Sequence, residues 1–278
     1  MKRLAIVAVF VAVVVGGWWA VTTPAVVETG TLGGFIVRPQ QLSGTITVVS
    51  DVYAAPWATL TFLPGTRVEF ERGEDVVDSQ WNKSADEYII DHNDPTGREG
   101  YKKSHYALYG TVFAQGTAAQ PIVFTSAQAK PDYADWDELI LLRGSILDHV
   151  EVAYTHNGVN INSSDVRVMN SVIHDALWSC VDIFSTNNIV AYNEIYHCWH
   201  QAIGVKTVGE NTINNNTIHD ANLSINCEND AAPTIRNNTF TAAQLADNCP
   251  ADASNTSVNR PVDTLGGTYR GELIYSAL

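Results

Sequence analysis

The sequence predicts an all-β fold in which one chain winds as a single-stranded parallel β-helix, a solenoid with coils of about 22 residues. Three observations predict it. Segments led by Asn170, Asn193, Asn216 and Asn238 follow one another at steps of 23, 23 and 22 residues, and Asp148 stands 22 before the first. Apolar columns recur at the same period: Val150, Val172, Ile195, Ile218 and Phe240; Ile161, Ile183, Val205 and Ile225; Val190, Ile213 and Ile235. Within a segment, apolar and polar residues alternate, as in Val159-Asn160-Ile161-Asn162, which is the period of a strand with one buried face. The columns are β-branched and no helix-length amphipathic run occurs, so strands are the consistent choice. Short strands joined by Asn-, Ser-, Thr- and Gly-rich turns satisfy their edges if each coil covers its neighbour. A leucine-rich repeat shares the Asn period but needs a Leu framework, whereas these columns are mostly Val and Ile.

The elements follow in chain order. Lys2 and Arg3 precede an apolar run from Leu4 to Val21, 18 residues, at the lower limit of the roughly 17–25 that cross a bilayer. Residues 1–23 read as an export signal or, with Trp18-Trp19 suited to a membrane interface, as an uncleaved anchor. The β-helix is expected over 24–262. Thr45 to Val49, Asp51 to Tyr53, Thr59 to Leu63 and Arg67 to Phe70 alternate well, with Pro64-Gly65 as a tight turn. Trp57 and Phe62 are expected to help cap the open end, which every solenoid must cover. Residues 71–105 are charged and break the alternation, so they read as an insertion. Within it, Asp91, Asn93, Asp94 and Glu99 surround Gly97: hard oxygen donors on a turned loop, a candidate calcium site without the EF-hand spacing. Alternation returns at Leu108 to Phe113 and Ile122 to Thr125, the regular coils follow, and 263–278 form a tail or last strand.

Formal charge is −14, from 16 Lys+Arg against 30 Asp+Glu. Such a surface repels nucleic acid and anionic lipid, and it repels a polyuronate unless cations intervene. With the N-terminal segment, four cysteines suit an extracytoplasmic chain, secreted or held at the cell surface. Cys227 and Cys249 are 22 apart, one coil, which brings their Cα atoms within disulfide range. Cys180 and Cys198 are 18 apart and out of register, so they are expected as small buried side chains.

ATLTFLPGTRVEF, YGTVFAQGTAAQPIVFTS and LDHVEVAYTHNGVNI, followed by the Asn-led segments, resemble the right-handed parallel β-helix repeat proteins of the pectate-lyase-like superfamily. The resemblance spans roughly residues 44 to 240. It implies a right-handed winding, a secreted or surface protein, and an internal ladder of Asn170, Asn193, Asn216 and Asn238. The fold hosts lyases, epimerases, hydrolases, adhesins and structural modules, and no catalytic motif is matched.

Function must therefore come from what the period stacks outside. Asn160, Asp182 and Gly204 form one such column, Asn162, Phe184 and Lys206 another, and His156, Trp178 and His200 a third just before the strands. An aromatic ring beside hydroxyl-binding polar groups is how sugars are gripped, so His156, Asn160, Asn162, Trp178, Asp182, His200 and Lys206 are the candidate glycan-binding residues. The expectation is a structural or glycan-binding module without catalysis, its partner an extracellular polysaccharide or cell-surface glycan. A lyase or epimerase is the alternative: Lys206 or a histidine as base, with calcium held by Asp182. A membrane-anchored adhesin or assembly subunit is the second. His174, His197 and His219 also recur at nearly one period and are expected as turn residues bonded to backbone.

Overall fold

The computed structural model describes residues 25–27, 30–72, 106–241, 244–245, 248–250 and 252–258. The N-terminal signal or anchor, residues 73–105 with Asp91, Asn93, Asp94 and Glu99, and the tail from 259 lie outside the described residues. Everything described is strand, turn or bend, and every ladder between named strands is parallel.

The pairing register states the repeat directly. Strand Val159–Ile161 lies beside Ser179–Ile183, which lies beside Glu194–Val205, which lies beside Thr217–Cys227. The inward residues stack into continuous apolar columns. One runs Ile46, Val68, Phe124, Val152, Ile173, Ile195, Ile218, Phe240. A second runs Leu42, Phe62, Ala114, Leu147, Val168, Val190, Ile213, Ile235. Two more lie side by side, Leu139, Val159, Val181, Ile203, Ile225 and Leu141, Ile161, Ile183, Val205, Cys227. All are buried, and each large apolar side chain removed from water contributes about 1.5–3 kcal/mol. Phe70 stacks on Trp136 at 3.9 Å and Phe62 meets Phe124 edge-on at 5.0 Å. Phe62 thus belongs to the core rather than to a cap, while Trp57 is exposed.

Two expected columns are shifted. Val172 pairs with Glu151, not Val150, and Ile225 pairs with Ile203, not Val205. The repeats are not equal in length, and one residue more or less at a corner exchanges the faces of a strand.

The corners explain the unequal steps. Non-glycine residues take positive φ in three columns: Asp165 and Asn187; His149, Asn170, Tyr192, Asn215 and Asn237; Tyr154, Asp175, His197 and Asp220. Gly144 and Gly209 extend the first. Left-handed backbone costs an ordinary residue about 1–3 kcal/mol, and Asn, Asp and His are the side chains found there most often.

This corrects the Asn ladder. Asn170 is a corner residue, exposed, with its Nδ2 on Asp148 Oδ1 at 2.9 Å. The ladder position in that repeat is Ser171, whose Oγ accepts from Val150 N at 3.1 Å. Beyond it Asn193, Asn216 and Asn238 are buried and joined amide to amide: each Oδ1 accepts the backbone N–H of the residue one repeat earlier, at 2.9–3.0 Å. Asn255 continues the ladder by accepting from Asn238 N at 3.0 Å. A second ladder joins Val166 N to Asn188 Oδ1 at 2.9 Å and Asn188 N to Asn211 Oδ1 at 3.1 Å.

Cys227 and Cys249 are bonded across one repeat, with Cα atoms 5.1 Å apart. Cys180 and Cys198 are also bonded, at 5.5 Å, against the expectation of two free thiols. Cys198 pairs with Ala176, before the corner at Leu177-Trp178, and Cys180 lies just after that corner. Both side chains point into the narrow interior, so they meet across the bend although their strand positions are out of register.

Candidate functional site

The face to be considered is the outer side of the strands at 139–141, 159–161, 179–183, 201–205 and 223–227. The register confirms one column through Ile140, Asn160, Asp182, Gly204 and Asn226. Backbone bonds align Asn162, Phe184, Lys206 and Glu228 at one end of these strands. They connect His156, Trp178 and His200 in succession at the other. All seven candidate glycan-binding residues therefore fall on one face.

That face is less open than an exposed row. Asn160 and Asp182 are each 2% exposed and His156 is buried, while Asn162, Trp178, His200 and Lys206 are half-buried. The cause is a carboxylate–amide network. Glu138, at the start of the first strand of the face, is 4% exposed and accepts from Asn160 Nδ2 at 2.5 Å and from Asn157 Nδ2 at 3.2 Å. Asp182 accepts from Gln201 Nε2 at 3.0 Å, and the same amide reaches Ser179 Oγ. Asn226 Nδ2 donates to Gln201 Oε1 at 2.9 Å. Lys206 Nζ lies 3.7 Å from Asp182 Oδ1 and donates to Glu228 Oε1 at 2.6 Å. His156 Nδ1 stands 3.4 Å from Asp137 Oδ1. A side chain at Gly204 would place Cβ 2.0 Å from Gln201 Nε2 and 2.1 Å from Asp182 Oδ1, so the glycine makes room for that pair.

Burial raises the carboxyl of Glu138 well above its usual range, and neighbouring Asp137 adds to the effect against the bonds from Asn160 and Asn157. Burial also raises Asp182, partly opposed by Lys206. Burial lowers His200 to about 4, with Lys206 adding to it, so the imidazole is neutral at pH 7 and stacks on Trp178 at 4.2 Å. The raised Glu138 has a testable consequence. Its contribution to stability is fully present below the unfolded carboxyl pKa of about 4.3 and is lost as pH rises through the folded value. Glu138→Gln mimics the protonated acid. It is expected to match the wild type at pH 4 and to exceed it in thermal stability at pH 8, and an unchanged pH slope would refute the assignment.

The acceptors Asn157 Oδ1, Asn160 Oδ1 and Asn162 Oδ1 are buried and have no hydrogen-bond partner. Three acceptors on one repeat, beside a neutral aromatic pair, form a surface suited to a ligand rich in hydroxyl donors. Among the described residues, no group of three or more His, Cys, Asp or Glu is placed to hold a metal ion.

A second strip lies where His174, Tyr196 and His219 share a register. The rings stack at 4.8 Å on each side of Tyr196. Asp175 joins His174 Nδ1 at 2.7 Å, His197 Nδ1 at 3.0 Å and the Tyr133 hydroxyl at 3.0 Å. Burial opposes the charge on His174, but bonds to Asp175 and Glu151 outweigh it and raise it to about 9. These histidines are thus tied to carboxylates rather than to backbone.

Sequence reasoning found the columns and missed Glu138, Asn157, Gln201, Asn226 and Glu228. Asn226 and Glu228 stood one step beyond columns already drawn, at Gly204 and Lys206. Glu138 and Gln201 enter the face from positions that are not in the two columns, and no period marks them.

No curated protein and no solved structure matches the chain. Residues 139–260 match the family model of the right handed beta helix region. The parallel ladders agree with that match over residues 139–260, the segment on which the face is built, so this part of the chain is similar to the right-handed β-helix family.

Proposed function

We propose that the chain is a single solenoid of about 22-residue coils, working outside the cytoplasm as a glycan-binding module of the pectate-lyase-like kind. The observation that carries the glycan reading is the row of buried, unpartnered amide oxygens at Asn157, Asn160 and Asn162 beside the Trp178–His200 stack. Sugar hydroxyls donate to such acceptors, and a sugar ring lies against an aromatic edge or face. Asn226, Lys206 and Glu228 supply further polar contacts along the same face. Two disulfides support an oxidising compartment. The apolar run from Leu4 to Val21 supports export or tethering at the membrane.

Trp178→Ala is the direct test. Titration calorimetry against a panel of neutral and acidic extracellular polysaccharides, with and without calcium, should find a ligand whose affinity falls about tenfold or more in the variant, as expected for losing about 1.4 kcal/mol or more of contact. Equal affinity in wild type and variant, with far-UV circular dichroism unchanged, would remove the reading.

The polysaccharide lyase or epimerase reading rests on one specific arrangement: Glu138, its carboxyl raised by burial, on the same face as Asp182, with Lys206 3.7 Å from Asp182. Unsaturated or epimerised products in the same panel would favour it over binding alone.

A further inference from the structure

We propose that the N-terminal tip of the β-helix, built on Phe35, Val37, Arg38 and Trp57, seats on a lipid bilayer interface. The inference rests on the tethering reading above and adds to it a contact surface of the folded domain.

The first observation is where exposed apolar side chains lie. Among the described residues, Phe35 is 80% exposed, Trp57 70% and Val37 58%. The other large exposed apolar residues, Val49, Tyr192, Val208 and Val258, are separate from them in the chain and from one another. Phe35, Val37 and Trp57 form a continuous patch. Trp57 Nε1 donates to Val37 O at 3.0 Å, which holds the indole across the neighbouring repeat. Phe35 stacks on Tyr53 at 5.5 Å, and Tyr53 meets Tyr109 at a tilt with centroids 6.3 Å apart, so an aromatic column continues from Phe35 along the folded body.

The second observation is electrostatic. Between Gly30 and Val68 the charged residues are Arg38, Asp51 and Arg67. Asp51 is buried and Arg38 is exposed. Arg67 is paired with Glu69 at 2.7 Å, which leaves Arg38 as the exposed cation beside the apolar side chains, on a chain whose formal charge is −14. That cation stands in sequence beside the exposed Val37 and near the exposed Phe35, and Trp57 is held on Val37 O. Trp and Arg beside an apolar side chain are the composition of membrane-interface anchors.

The third is chain connectivity. Strand Gly30–Ile36 pairs, among the described residues, only with Thr45–Ala54, so it is the terminal rung of its stack. Strand Ala25–Val27 lies at the same end, beside Gln40–Leu42. Only Thr22, Thr23 and Pro24 separate that strand from the apolar run ending at Val21. Three residues span at most about 11 Å, so a run held in a bilayer keeps this end, and no other, at the membrane surface.

The test uses the full chain in vesicles of phosphatidylcholine and phosphatidylglycerol. All four cysteines are in disulfides, so Phe35→Cys, Trp57→Cys and Val258→Cys each give one labelling site for an environment-sensitive dye. Flotation reports the tether, and quenching by lipids carrying a nitroxide near the headgroup reports the tip. The expected result is flotation of all three, with dyes at 35 and 57 quenched at least threefold more than the dye at 258. Flotation with equal quenching at all three positions overturns the docked tip and leaves the tether standing. Failure to float removes the tether and the inference with it. Dyes at 35 and 57 that respond to added polysaccharide and not to the quencher lipid overturn it in favour of a second glycan contact.

Discussion

Asn216→Ala should lower the free energy of unfolding by about 2–5 kcal/mol. Asn216 Oδ1 accepts from Asn193 N and Asn193 Nδ2, each at 3.0 Å, and its Nδ2 donates to Val190 O at 3.0 Å and Asn238 Oδ1 at 2.9 Å. Asn193 Nδ2 keeps its bond to Val168 O, and Asn238 Oδ1 keeps the backbone N–H of residue 216. The group left bare is the Asn193 N–H, and the bonds from Asn216 Nδ2 to Val190 O and Asn238 Oδ1 are lost with it. Each buried group without a partner costs about 1–3 kcal/mol. Serine should be milder than alanine, because Ser171 fills the equivalent position two ladder steps further up. Asn170→Ala is the contrast: that side chain is exposed at a corner, and only a left-handed preference and one bond to Asp148 are lost. Urea unfolding of the variants checks the order. If Asn216→Ala costs no more than Asn170→Ala, the ladder is not a stabilising element.

Replacing both cysteines of one bridge by alanine should cost about 3 kcal/mol in either case, since the closed loops span separations of 18 and 22 residues. The two losses should differ in reach. Repeats contact chiefly their neighbours, so damage at an end stays at the end and damage in the middle splits the stack. For Cys227 and Cys249, faster hydrogen exchange is expected from about Gln244 onward with the centre protected. For Cys180 and Cys198, protection should fall across Ser179–Ile183 and Glu194–Val205, the strands that carry Asp182, His200 and Gln201. If the face binds a glycan as proposed, it should then lose affinity in the second variant and keep it in the first. Exchange that rises uniformly along the chain in both variants would contradict this division.

The pH response divides in the same way between groups. His174, raised to about 9, contributes stability that is complete below the unfolded histidine pKa of about 6.5 and lost as pH rises through 9. Asp175, held well below its ordinary value by His174 and His197 against the opposing effect of burial, contributes stability that is complete above about 4 and lost as pH falls through its folded value. This strip is thus most stabilising between roughly pH 4 and 6.5, while Glu138 works increasingly against the fold as pH rises above its unfolded value of about 4.3.

How far the sequence reached follows from which residues obey the period. Val190, Ile213 and Ile235 stand in one column both in sequence and in space. His156, Trp178 and His200 do so as well, because the corners between successive members add up to the same step of 22 residues each time. Val150 with Val172, and Asn170 with Asn193, were misaligned for a common reason. The repeat that joins them turns at left-handed corners, His149 and Asn170, and a shift of one residue there moves a side chain from inside to outside. Asn occupies both roles in this chain, as a corner residue that tolerates positive φ and as a ladder residue that bonds backbone, and spacing alone does not separate them.

The sequence by itself determined that the chain is all-β, built on a repeat near 22 residues, with β-branched columns inside and one bridge between Cys227 and Cys249. Those features are periodic, and a period is a local property that can be counted. The tertiary structure alone decided that Cys180 meets Cys198, that Ser171 replaces Asn170 in the ladder, and that Glu138 and Gln201 close over the face of Asn160 and Asp182. Each of these depends on how a corner bends one strand toward the next, and the backbone angles of a few left-handed residues set that bend.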